Sequence, residues 1–332
     1  MTGKAVRRYF SSEFRCSHFW FVHEDWRSFA YSPWMPYWWR VQWIYLAYRC
    51  TLSFYFLVWL AYSIYSSWFH GKLEQHFSFL ANWSFLLWNA YLFISAINVS
   101  VNQLRQYCSQ KKSCEDRQLS KRSCRRICCT CGKDRSTLCD KISWLFFTVS
   151  TEVAVIVTLL YWMILSGGDD DDTRGSALNL HIHLLNGITA VLDLWVTGFP
   201  VHIFHFLYTF LYAACYIAFT GVHYATNTTG SSEGNEYIYP VLDYGSKPSL
   251  AVGVVLGVML GLLPLIHILF ISQYLVRVWI IARLHKRFET YRKFLPVVQE
   301  TETDLNNDNE GMSEAGTSRM TFSTTADNHC DV

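Results

Sequence analysis

The sequence predicts an all-α fold, a polytopic membrane helix bundle with six transmembrane helices. Only 16% of the 332 residues are charged, while 51% are hydrophobic and 17% aromatic; soluble domains average about 25% charged. The charge present is gathered between long apolar stretches. Each stretch runs to ~20 residues or more, enough at about 1.5 Å per residue to cross ~30 Å of hydrocarbon. Lipid satisfies no backbone N–H or C=O group, so spans must be helices or closed barrels. The dyad alternation of barrel strands, about 10 residues long, is absent.

Residues 1–42 form an N-terminal segment carrying Arg7, Arg8, Arg15, Arg27 and Arg40 and no apolar run of secretory-signal length. The first span is therefore expected to act as a signal anchor. Just ahead of it, YSPWMPYWWRVQW reads as an aromatic interfacial lead-in. The membrane domain, 43–276, has approximate spans at 43–68, 77–99, 142–165, 177–196, 201–224 and 250–276. Arg49, near the start of the first, is expected to reach the headgroups with its long side chain. Between the second and third spans, 101–141 carries eleven Lys or Arg against four acids. A juxtamembrane segment beginning with Arg277 and an acidic, Ser/Thr/Asn-rich tail expected to be disordered complete the chain at 277–332.

Basic residues cluster before the first span, between the second and third, and after the sixth. With six crossings these lie on one side, and the positive-inside bias makes that side the cytosol. Both termini are then cytoplasmic. Asp169 to Asp172 fall outside, as does Asn227-Thr228-Thr229, an acceptor tripeptide for glycosylation at Asn227. Asn82-Trp83-Ser84 and Asn98-Val99-Ser100 match the same pattern but lie at or in spans. The expected partners are membrane lipids, with anionic lipid at the basic loop and a cytoplasmic adaptor on the tail; no nucleic acid is expected.

Seven of eleven cysteines fall in the basic loop. CRRICCTC, with Cys124, Cys128, Cys129 and Cys131, lacks a clean pair of two-residue spacings. Disulfides are disfavoured in a reducing compartment, so free or acylated cysteines on a lipid-bound loop are preferred to a metal or redox site. No cofactor is implied.

Ionisable groups at membrane depth are expensive and mark a cavity or a partner. Glu152 lies in the third span. In the fourth, His183, Asn186, Ala190 and Asp193 recur at helical spacing on one face. The fifth starts with His202 and His205 and ends at His223, and the loop after it contributes Tyr239 and Asp243. A pocket in the outer leaflet, drawing on His181, His183, His223, Asp243, Ser78, Ala81, Asn82 and Ser84, is compatible with this topology, while Asp193, His202 and His205 belong to the inner half. The same polar groups also serve a simpler end, interhelical hydrogen bonds worth about 0.5–2 kcal/mol each. Gly187, Gly198 and Gly221 read as points of close helix contact. GxGxxG, Walker and HExxH motifs are absent.

Over roughly residues 18 to 285 the chain resembles the insect rolling stone family of multipass membrane proteins. The resemblance is carried by the Trp-rich lead-in, FLANWSFLLWNAYLF, HLLNGITAVLDLWVTGFPVHIFHFLY, YIYPVLDY and LVRVWI. It implies a plasma-membrane protein acting in myoblast fusion or membrane organisation during development. More remotely, the chain is similar to the androgen-induced and androgen-dependent membrane hydrolases, which cleave fatty acid esters of hydroxy fatty acids with a threonine and a histidine. That similarity places their histidine at His183, with Asp193 ten residues on, their Tyr-Pro at Tyr239-Pro240, and their histidine after the fifth span at His223. Their threonine falls at Ala81 in Phe79-Leu80-Ala81, which leaves Ser84 and Ser78 as stand-ins for a nucleophile activated by His183. Three readings follow. Membrane organisation or fusion is preferred, an intramembrane lipid ester hydrolase is the alternative, and small-solute transport is a third.

Overall fold

The computed structural model describes residues 13, 19, 21, 29–35, 42–115, 138–165, 177–226 and 237–293. The acyl-acceptor candidates Cys124, Cys128, Cys129 and Cys131, the acceptor Asn227, the tetra-aspartate and the tail lie outside these residues. Among them, six helices are long and apolar enough to cross a membrane: α1 (Trp43–Phe69), α2 (Leu80–Cys108), α3 (Leu138–Met163), α4 (Ala177–Val196), α5 (Ile203–Thr226) and α6 (Pro248–Lys286). The molecule is an all-α membrane helix bundle. The chain divides into two units, 1–278 and 279–332. In the second, the Arg283 guanidinium lies 4.2 Å from the Trp279 ring centroid.

Successive helices alternate in direction, and contacts at both ends fix this. At one end, called here the near end, Gln42 at the start of α1 accepts from Ser32 N and takes its own N–H to Gln103 Oε1 on α2. At the far end, Leu80 N at the start of α2 donates to the hydroxyls of Tyr216 on α5 and Tyr239 in the loop before α6. The helix of α2 runs on past its apolar part to Glu115, because QLRQYCSQKKSC holds neither Gly nor Pro to stop it.

α3 is the central helix. It packs on α2, α4 and α5, and 67% of its apolar window is buried against 22% for α1 and α5. Aromatic and aliphatic side chains such as Phe54, Met163, Leu211 and Leu260 point outward from the bundle, a surface suited to lipid.

The α3–α4 contact depends on Gly187. A Cβ there would sit 2.2 Å from Thr158 Oγ1 and 3.3 Å from the Ala154 carbonyl oxygen. Gly187→Val is expected to force the helices apart at a cost of about 1–3 kcal/mol. Gly221, expected from the sequence to make a similar contact, instead faces open space, with nothing within 4 Å of a built Cβ. Gly221→Ala is accordingly expected to be neutral or mildly stabilising, up to about 1 kcal/mol through helix propensity. Thermal unfolding of the two variants in detergent checks both signs.

Two arginines are placed differently from expectation. Arg49 does not reach for the headgroups; its side chain is fully buried and paired with Asp193. Arg277 is no exposed juxtamembrane charge. It is 3% exposed, and its guanidinium donates to the carbonyls of Leu194, Thr197 and Phe199. The turn between α4 and α5 explains this. Thr197, Phe199, Pro200 and Val201 are buried, so the carbonyls at the end of α4 meet no water and need protein donors. The Trp34 indole N–H supplies Trp195 O, Ser32 Oγ supplies Val196 O and the Trp144 indole N–H supplies Pro200 O. The N-terminal segment is thereby tied onto the near end. Phe29 and Phe21 pack edge-on to Trp144, and the Glu13 carboxylate accepts from His202 Nδ1 at 2.9 Å and from Ile203 N at 3.1 Å.

Candidate functional site

α2 and α4 run parallel, with the same offset at successive contacts. Asn186 Nδ2 donates to Ser84 Oγ at 3.3 Å, and Tyr91 OH donates to Asp193 Oδ2 at 2.6 Å; each pair is separated by 102 residues. The polar face of α4 therefore lies along α2, and its members meet different surroundings from far end to near end.

At the far end His183 lines a cavity of about 100 Å³. The cavity draws on every helix except α1: Ala81 and Leu80 from α2, Val157 and Tyr161 from α3, His183 from α4, Tyr216 and Ile217 from α5, and Val254, Val255 and Val258 from α6, closed by Tyr239, Val241 and Leu242 of the loop. Three turns of π-helix interrupt the spans, at Tyr161–Leu165, His181–Leu185 and Gly257–Leu262. Each places a residue on this cavity: Tyr161, His183 and Val258 respectively. A π turn inserts one residue into the i→i−4 ladder, as Asn186 N shows by bonding back to His181 O. Such turns gather at functional sites. His183 is half-buried and stacks on Tyr161 with ring centroids 3.8 Å apart and planes 9° apart.

The loop wall is also tied down. Tyr216 OH donates to Ser78 O at 2.9 Å while accepting from Leu80 N. Burial pushes the Tyr239 phenol up to about 12, so it stays protonated. Asp243 Oδ1 accepts from Gly245 N and Ser246 N and holds the turn into α6.

The other residues singled out in the sequence are dispersed. Neither Ser84 nor Ser78 is among the residues lining the cavity. Ser84 is fully buried and accepts from Asn186, while Ser78 Oγ bonds back to Glu74 O. His223 is buried on α5 against Phe219 and is likewise not on the cavity wall. His181 is held in place by Ala177 O, Tyr55 OH and a stack on Trp59.

Nearer the other end, Asp193 forms the most connected polar centre. Its carboxylate pairs with Arg49 at 2.9 Å and accepts from Tyr48 OH at 2.9 Å and Tyr91 OH at 2.6 Å. Arg49 Nε and Nη2 both donate to Tyr45 OH at 3.0 Å. His205, also fully buried, lies against Trp144 and Phe21. Glu152 meets His267 Nδ1 at 2.7 Å. Sequence reasoning missed His267, Tyr48 and Tyr91. Tyr48 and Tyr91 belong to an aromatic-rich sequence in which nothing marks them out, but His267 stands alone among aliphatics in LPLIHILF and was open to discovery as a membrane-depth ionisable group.

A family model described as "Protein rolling stone" matches residues 4–288. A Drosophila melanogaster protein of the same description is 25% identical over 252 residues, covering 76% of this chain and 84% of its own length. No solved structure matches the chain.

Proposed function

We propose, since this chain belongs to the rolling stone family, that it is a cell-surface multipass protein that organises membranes during cell–cell fusion, as in developing muscle, without carrying out a covalent step. The observation that carries this reading is the methyl group of Ala81 on the cavity wall that His183 also lines. Ester cleavage by a histidine-activated hydroxyl needs an attacking oxygen beside the base. Here Ser84 and Ser78 are engaged elsewhere, and a displacement of ~4–5 Å forfeits most of the benefit of a preorganised site.

The near end faces the cytosol in this reading, so that the basic segment 101–141 lies against anionic lipid, with Cys124, Cys128, Cys129 and Cys131 as acylation sites and Asn227 glycosylated outside. The tail is then placed to recruit an adaptor. Depleting the protein from fusing myoblasts tests the proposal: multinucleate fibres should fail to form, and normal fibres would refute it.

One observation favours the second reading, an intramembrane lipid ester hydrolase. The rings of His183, Tyr161, Tyr216 and Tyr239 meet among aliphatic side chains on one apolar cavity, a surface suited to a lipid chain. The assay is hydrolysis of a fluorescent lipid ester by detergent-purified protein. Wild type and His183→Ala are expected to match the buffer blank. A rate at least tenfold above blank that His183→Ala abolishes would establish the enzyme instead.

A further inference from the structure

The inner face of α5 is polar along its whole length. His205, Thr209, Tyr212, Tyr216, Thr220 and His223 follow at steps of four, three, four, four and three, which is one stripe of a helix. Within Phe206–Thr226, the residues classed as buried are Thr209, Tyr216, Thr220 and His223. None is aliphatic.

Two hydroxyls of the stripe have no hydrogen-bond partner among the described residues: Thr209 Oγ1 and Tyr212 OH, both shielded from bulk solvent. Thr209 is the more telling. Elsewhere in the bundle Thr148, Thr151, Thr158 and Thr189 each bond back to the carbonyl four residues earlier. Thr209 is fully buried and leaves that bond unmade. Unpaired polar atoms inside hydrocarbon cost several kcal/mol each. Ordered water with two to four partners is the usual remedy.

The near-end approach to the stripe offers a site for a proton. His267 donates from Nε2 to Ile203 O at 3.0 Å, and its Nδ1 lies 2.7 Å from Glu152 Oε1. With Nε2 protonated, the short contact is either an imidazolium donating to a carboxylate or a carboxylic acid donating to a neutral imidazole. Both forms contain one proton more than a neutral histidine beside an ionised glutamate. The second oxygen, Glu152 Oε2, is buried with no partner among the described residues. Ile203, the backbone hub of this arrangement, also gives its N–H to Glu13, which bonds His202. The His202 ring lies 5.2 Å from that of His205, the first member of the stripe.

We propose that the polar face of α5 carries a chain of ordered waters that conducts protons between the two ends of the bundle, with the Glu152–His267 pair as its proton-binding site. A proton enters at one end and one leaves at the other; at each hop one O–H or N–H bond breaks as the next forms, so the chain is restored and no electron is transferred. This reading is independent of the fusion proposal and of hydrolysis at His183.

The test uses the full chain reconstituted in liposomes containing a pH-sensitive dye, with a potassium gradient and valinomycin setting the membrane potential. Wild type should acidify the interior at least tenfold faster than empty vesicles, and replacing sodium by choline should leave the rate unchanged. Tyr212→Phe and Thr209→Val, which keep side-chain shape and remove only the hydroxyl, should each lower the flux at least fivefold. Thr209→Ser should retain it, which separates a lost hydroxyl from a damaged fold, and Tyr62→Phe on the lipid-facing side of α1 should do nothing. Wild-type flux no faster than empty vesicles, sodium-dependent flux, or full flux in both hydroxyl-free variants would overturn the proposal.

Discussion

Replacing Asp193 by alanine is expected to cost about 3–5 kcal/mol of bundle stability, because it strands the Arg49 guanidinium with no other carboxylate paired to it among the described residues. Both side chains are wholly excluded from solvent, and Tyr48 and Tyr91 lose their acceptor in the same step. The reverse change, Arg49→Met, is expected to be comparably severe, since it leaves a carboxylate at membrane depth. Removing both charges should behave differently. Arg49→Met with Asp193→Leu eliminates the uncompensated charge and is expected to recover most of the loss, as apolar replacements of buried ion pairs often do. The smaller change Tyr91→Phe should cost about 1 kcal/mol, the scale of one interhelical hydrogen bond in a membrane bundle. Unfolding titrations in mixed micelles give all four values. A cost below about 1 kcal/mol for Asp193→Ala or Arg49→Met would match an exposed pair and would contradict the enclosure described here.

The second large effect is expected at Arg277. Its guanidinium serves three carbonyls at and beyond the end of α4, where the helix dipole also favours a cation. Arg277→Ala should cost about 2–5 kcal/mol, because buried carbonyls left without donors each forfeit about 1–3 kcal/mol. Arg277→Lys should rescue only part of this, since one ammonium does not reproduce the planar fork that reaches all three oxygens. The same micelle titrations supply both values, and full rescue by lysine would show that charge alone suffices.

The bundle could be read from the sequence because hydropathy is a local property and each span announces itself within ~20 residues. The break at 197–200 between the fourth and fifth spans was visible for the same reason. Partnerships were not, since they depend on residues far apart in the chain. Arg49 sits seven residues into a span that opens with Trp43, which reads naturally as a charge reaching back to the headgroups. Only the fold brings Asp193 to it from 144 residues away. Arg277 follows LPLIHILFISQYLV and looked like the start of a cytoplasmic stretch, but the buried turn at 197–201 draws it inward. The stripe on α5 could have been found, because its spacing is regular. Tyrosine and threonine are both common in membrane helices, so the stripe has little contrast against its surroundings. On α4, by contrast, His183, Asn186 and Asp193 stood out as the few polar residues of an apolar segment. What the sequence could not show is that a π turn at His181–Leu185 would place His183 on a cavity with Ala81, three residues before Ser84.

The most direct test of the account is the register of α2 against α4, on which the cavity, the Asn186–Ser84 bond and the Asp193 centre all depend. In a cysteine-free background carrying a protease site within 116–137, the pair Ser84→Cys and Asn186→Cys is treated in native membranes with a short thiol cross-linker. Efficient joining of the two halves is expected for this pair, whose present side chains meet at 3.3 Å, and none for Ser84→Cys with Leu192→Cys, because Leu192 faces lipid at 56% exposure. Joining of the Leu192 pair in preference to the Asn186 pair would contradict the arrangement from which every site in this bundle is built.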